Sequence, residues 1–134
     1  MQQLVSCDVD GTDAGCDGGL MDEAFKWIVG HPLCVNEDYP YLSGSGQYHG
    51  LCQTTCKGLA APTGLTDVPG EDGLLSAIAI GPVSVGIDAG RLQLYAGGVF
   101  DDPICTTSIN HGVLAVGFGT EPSSGAKCVC SPVL

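Results

Sequence analysis

The stretch Ile109–Gly119, INHGVLAVGFG, sets a single histidine at the mouth of an apolar run punctuated by glycines. Small and branched residues from His111 to Phe118 read as a β-strand, which would hold the histidine on a fixed backbone. Imidazole, with an ordinary pKa of about 6.5, is the side chain that gives and takes protons near neutrality. His111 is therefore the candidate general base. A histidine that merely caps a strand is the alternative that this segment by itself leaves open.

The segments before it share that character. Val83–Ile87, Leu92–Tyr95 and Val99–Phe100 are short, rich in valine, leucine and aromatics, and bounded by glycines, so an antiparallel sheet is expected. Further upstream the period changes. From Leu20 to Val29, the residues Leu20, Met21, Ala24, Phe25 and Ile28 fall on one helical face, with Asp22, Glu23 and Lys26 turned outward. Gly18 and Gly19 precede this helix, and Gly30, His31 and Pro32 stop it. A second helix is expected over about Glu71–Ala79, with Leu74, Leu75 and Ile78 inward and Gly81–Pro82 at its end. Leu42–Gly50 reads as a surface loop, and Pro62–Thr66 as a crossing between two lobes. His31 and His49 read as surface residues, and Trp27 as core.

Composition restricts the function. Hydrophobic content of 44% with 14% charged residues is globular, and 21 glycines and 8 prolines signal many turns. A formal charge of −11 with only four Lys and Arg argues against a nucleic-acid or anionic-membrane partner, because phosphate binding needs a basic patch. No apolar run reaches membrane-spanning length, and Met1 is not followed by a basic and then apolar leader. Eight cysteines placed at turns nevertheless look like a disulfide framework from an oxidising compartment. Zinc is a poor fit, because the spacings of Cys52, Cys56, Cys128 and Cys130 do not form paired knuckles.

A second segment, Gln2–Phe25, QQLVSCDVDGTDAGCDGGLMDEAF, together with NHGVLAVGFG, resembles the papain family of cysteine peptidases, its cathepsin L-like branch in particular. EDYPYLSGSG (Glu37–Gly46), DVPGEDGLLSAIAIGPVSVGIDAG (Asp67–Gly90) and LQLYAGGVF (Leu92–Phe100) follow in register. The resemblance covers about Gln2–Thr120. It implies an α+β, incomplete papain-like two-lobe fold: a helical left lobe over about 1–61, an antiparallel right lobe over about 62–120, and a divergent tail over 121–134.

The resemblance also implies roles. His111 would pair with a cysteine nucleophile and be oriented by an asparagine. The family's CGSCW-type segment, which carries that cysteine, and its NSWG-type segment, which carries the asparagine, have no counterpart in this sequence. The chain is accordingly expected to be a record truncated at both ends, catalytically inactive by itself. Gly18 and Gly19 would lie against a substrate backbone. Leu20, Met21, Gly86, Ile109 and Gly112 match positions around an apolar specificity pocket. Asn110 is grouped with these binding residues and is distinct from the orienting asparagine.

Cys7 would bridge Cys52, closing a loop of roughly 45 residues worth about 3 to 4 kcal/mol. Cys34 and Cys56 are extra to the family pattern and could pair with each other, while Cys16 and Cys105 would lack their partners. The implied partners are a peptide or protein substrate and a cystatin-type or propeptide inhibitor, with no cofactor. The implied location of a full-length relative is lysosomal, vacuolar or extracellular. The alternative function is a noncatalytic remnant that binds peptides, inhibitors or an active relative.

Overall fold

A computed structural model describes residues 1–45 and 48–131 and divides the chain into two units, Met1–Thr66 and Asp67–Leu134. The first unit holds α1 (Gln2–Cys7), a 3-10 turn (Gly15–Asp17) and α2 (Met21–Gly30). α2 begins where Leu20 is still extended, and carries Asp22 and Glu23 in its first turn, where the helix dipole favours negative charge. It ends at Gly30, because the ring of Pro32 cannot continue a helix. There His31 Nδ1 lies 2.9 Å from the Trp27 carbonyl, and the two rings stack with centroids 4.2 Å apart. Ile28 is the buried member of the helix, whereas Trp27 is half-buried and Phe25 exposed. The apolar face predicted from periodicity is thus only partly covered.

α1 has no counterpart among the sequence expectations. Its six residues are too few for a periodic signal, and tertiary hydrogen bonds hold it in place. Gln2 is fully buried. Its Oε1 accepts from the backbone N–H of Leu42 (2.7 Å) and Ser43 (3.1 Å), and its Nε2 reaches the Ser6 hydroxyl (2.8 Å) and the His49 carbonyl (3.0 Å). Gln3 ties the same helix to a second strand of chain, accepting from Cys34 N at 2.8 Å and donating to the Pro32 carbonyl at 3.2 Å. Two disulfides, Cys7–Cys52 and Cys34–Cys56, close this unit. Tyr39 fills its interior and is 4% exposed; its hydroxyl donates to the Leu51 carbonyl at 3.1 Å and accepts from Gln53 N at 3.0 Å.

The second unit comprises α3 (Gly70–Ile78), β1 (Val83–Ile87), a 3-10 turn (Leu92–Leu94), β2 (His111–Ala115), β3 (Gly117–Thr120) and β4 (Lys127–Cys130). β1 pairs antiparallel with β2 in the register Val83↔Ala115 to Ile87↔His111, and β3 pairs antiparallel with β4. Ile78 from α3 and Ala115 from β2 are its buried apolar residues. The architecture is α+β with antiparallel strands.

Two of the expected strands are absent. Leu92–Tyr95 curls into a 3-10 turn because its amides bond locally, Leu92 N to the Ala89 carbonyl at 3.0 Å and Tyr95 N to the Leu92 carbonyl at 2.9 Å. Val99–Phe100 follows Gly97 and Gly98, whose φ of 145° and 85° take the backbone out of strand geometry. The long strand from His111 to Phe118 divides at Val116, where the amide donates to the Cys130 carbonyl at 2.9 Å. That bond recruits residues 127–130, assigned from sequence to a divergent tail, as β4.

Candidate active site

The residues singled out from the sequence fall into two groups, one in each unit. In the first unit, Gly18, Gly19, Leu20 and Met21 form the approach to α2 and line a cleft of about 230 Å³, together with Leu4 and Val5 of α1. Gly18 has φ 106°, a left-handed conformation that disfavours a side chain. Gly19 lies directly over Asp13, so that a Cβ there would fall on the carboxylate oxygen. That same oxygen accepts the Leu20 amide at 2.6 Å. Asp13 therefore fixes the backbone of the glycine pair from below. Leu20 remains 56% exposed, leaving its side chain free for another apolar group.

Asp13 has a second carboxyl beside it. Asp8 follows α1, is 6% exposed, and has its pKa raised from 3.8 to about 6. Burial is the largest cause, followed by the hydrogen bond and negative charge of Asp13, then the charges of Asp10 and Glu23. Asp8 thus holds its proton more readily than an exposed carboxyl would. The sequence offered no signal for this pair, because the partner of Asp13 is a backbone amide seven residues away. His49, assigned from sequence to the surface, is exposed but accepts the Cys16 amide on Nδ1 at 3.1 Å and so braces the 3-10 turn before the glycines.

In the second unit, His111 is the first residue of β2 and lies opposite Ile87 in the ladder. Its ring is exposed, and among the described residues no side chain or backbone group hydrogen-bonds to it. Gly112 pairs with Gly86, so this rung of the ribbon carries no side chain. Asn110 continues the pairing: its amide donates to the Ile87 carbonyl at 3.1 Å, and its Oδ1 accepts Ala89 N at 2.8 Å. Its side chain is thereby spent on fixing the turn after β1. Ile109 is 61% exposed beside it.

The loop that delivers His111 is fastened by acids. Asp88 accepts from the Thr106 hydroxyl at 2.7 Å, Thr106 N at 3.0 Å and Gly90 N at 3.0 Å. These bonds, the Thr106 hydroxyl first, hold its pKa below the usual carboxylate value. Arg91 and Asp102 form an ion pair across the same loop.

Of the remaining cysteines, Cys16, Cys105, Cys128 and Cys130 are free thiols. Among the described residues no cluster of three or more His, Cys, Asp or Glu could hold a metal ion, and no helix is long and apolar enough to cross a membrane.

Comparison with known proteins places these features. Residues 1–129 match the papain family cysteine protease profile. A senescence-specific cysteine protease of Oryza sativa subsp. indica is 41% identical over 94% of this chain and 37% of its own length, and procathepsin L of Rattus norvegicus is 38% identical over 94% of this chain and 39% of its own. Among solved structures, digestive procathepsin L 3 of Tenebrio molitor superposes with a TM-score of 0.84 at 36% identity, covering 96% of this chain and 42% of that one. The bromelain protease of Ananas comosus superposes with a TM-score of 0.83 at 33% identity, covering 97% and 59%. The chain thus spans well under half the length of the curated relatives named. With the match running through both the glycine pair and the histidine strand, the chain belongs to the papain family of cysteine proteases.

Proposed function

We propose that these residues form the substrate wall and the base-bearing strand of a papain-type cysteine endopeptidase, with His111 as the proton-transfer group. The observation that supports this most is the location of His111, exposed at the first position of a paired strand and next to a rung of two glycines. There its ring stands at the open end of the ribbon, with Ile87 as its cross-strand neighbour. In such chemistry an imidazolium lowers the pKa of a cysteine thiol, to about 3 to 4 in papain itself, a reference value rather than one worked out from this chain. The thiolate attacks the scissile carbonyl, and the same imidazolium protonates the leaving amine. Water then hydrolyses the acyl-enzyme.

The glycine pair Gly18–Gly19 takes the substrate main chain in strand-like hydrogen bonds, held in place by Asp13. Leu20, Met21, Gly86, Ile109 and Gly112 favour an apolar side chain on the substrate. Because neither the nucleophile segment nor the orienting asparagine is among the 134 residues, they do not hydrolyse peptides by themselves. Losing a nucleophile costs about a millionfold in turnover by the serine-peptidase precedent. The substrates are peptides or proteins, and a propeptide or a cystatin-type protein is the inhibitor. Proform structures among the relatives support the propeptide. Procathepsin L among the relatives supports a lysosomal, vacuolar or secreted location.

The test is labelling of the purified chain, free thiols reduced, with a thiol-directed covalent peptidase inhibitor and a fluorogenic peptide. No turnover and no His111-dependent labelling are expected. Stoichiometric labelling that disappears in His111→Ala would mean that one of the four free thiols acts as the nucleophile, and would overturn the inactivity of these residues by themselves, whereas labelling indifferent to His111→Ala would deny His111 its role.

A further inference from the structure

The hairpin formed by β3 and β4 carries a feature that the peptidase reading does not use. Cys128 and Cys130 are separated by one residue on β4, so both side chains leave the same face of the strand. Their rungs are Gly119↔Cys128 and Gly117↔Cys130, so neither thiol faces a side chain across the ladder. Gly117 is close enough that a Cβ there would lie 3.9 Å from the Cys130 Cβ, which places Cys130 over bare backbone. Cys128 Sγ lies 3.6 Å from the Gly119 carbonyl, over the same bare face. Both are free thiols, Cys130 exposed and Cys128 half-buried.

We propose that Cys128 and Cys130 form a two-thiolate site for a soft monovalent cation of the Cu(I) type. The strand sets the distance. With a rise of about 3.3 Å per residue, two positions apart on a strand is about 6.6 Å between Cα atoms. The Cα atoms of a disulfide usually lie about 4.4 to 6.8 Å apart, most often about 5.5 to 6 Å, so this pair sits at the wide end of that range. With the zinc–thiolate length of about 2.3 Å as a guide, two metal–thiolate bonds leave the sulfurs about 4.6 Å apart when the metal lies between them. Each side chain then leans in by about 1 Å, which ordinary rotamers allow. The spacing therefore suits a bridging ion. Thiolates select soft cations, and two ligands on an open face suit an ion that accepts linear coordination, unlike zinc, which takes four. Binding is balanced as two thiols and one monovalent cation giving a bis-thiolate complex of net charge −1 and two released protons.

The hairpin is rigid enough to hold the pair. Glu121 closes its turn, accepting from the Ser123 hydroxyl at 2.6 Å and Ser124 N at 2.6 Å, while Glu121 N donates to the Ala126 carbonyl at 2.8 Å.

The experiment is anaerobic titration of the 134-residue chain, disulfides intact and free thiols reduced, with Cu(I) held by a chromophoric chelator. One equivalent should leave the chelator, confirmed by native mass spectrometry. Cys128→Ser and Cys130→Ser should each weaken uptake at least tenfold, whereas Cys16→Ser and Cys105→Ser should not change it. The double substitution Val129→Cys with Cys130→Val keeps the number of thiols but turns one sulfur to the opposite face, and it should weaken uptake as far as Cys130→Ser does. Uptake that survives Cys128→Ser, uptake retained by the double substitution, or no uptake by the parent chain would each overturn the site.

Discussion

Asp8 gives a stability prediction whose sign and size both follow from its surroundings. Its pKa is about 6 in the folded chain against an ordinary 3.8, a difference of about 2 pH units. Each unit corresponds to about 1.4 kcal/mol, so the proton-bound folded state gains up to about 3 kcal/mol relative to the ionised one. The folded chain binds the proton more tightly than the unfolded chain. This contribution is therefore complete below about pH 3.8, declines as pH rises, and is gone once pH passes through about 6. Between pH 4.5 and 7 the loss integrates to about 2 kcal/mol.

Trp27 is the sole tryptophan and sits in the same unit, so urea unfolding followed by its fluorescence reads the relevant part of the chain. Asp8→Asn supplies a neutral group of the same shape and should be nearly flat over that interval apart from the slope due to other groups. The gap between the two proteins should widen in the variant's favour as pH rises. Parallel curves for the two proteins, or a parent chain that gains stability from pH 4.5 to 7 relative to the variant, would refute the raised pKa of Asp8.

Two substitutions test the supports of the first unit. Gly19→Ala places a methyl on the Asp13 carboxylate and should destabilise by about 1 to 3 kcal/mol, in the range of overpacking. Combining it with Asp13→Ala should remove most of that extra cost, read as the coupling in a double-mutant cycle of urea midpoints. Gln2→Ala strands the buried amide of Ser43 and the part-buried amide of Leu42 and should cost about 3 kcal/mol in the same assay. A loss below about 1 kcal/mol would mean that water replaces the side chain.

What could be read from the sequence depended on how far apart the decisive partners lie. α2 and α3 were legible because leucine, isoleucine and phenylalanine recur at helical spacing and glycine and proline mark the ends. β1 and the strand beginning at His111 were legible from valine-rich runs between glycines. Leu92–Tyr95 was not, because a short apolar run satisfies strand and turn patterns equally, and the choice was made by local carbonyls at Ala89 and Leu92. α1 escaped because its inward residues are glutamines and a serine, whose partners outside the helix are residues 29 to 47 positions away. The same holds for Asp8 and Asp13. Their importance arises from burial against each other, which no spacing along the chain announces.

The interior of the first unit has a thermal consequence. Around Ile28 and Tyr39, its buried side chains are Gln2, Gln3, Ser6, Asp8, Asp13 and Ser43. Among the described residues none of their buried polar atoms lacks a hydrogen-bond partner. Unfolding such an interior hydrates amides, hydroxyls and carboxyls more than hydrocarbon, and polar hydration lowers the heat capacity where apolar hydration raises it. The unfolding heat-capacity increment per residue is therefore small, and the dependence of stability on temperature correspondingly flat. A unit built this way yields little to cold.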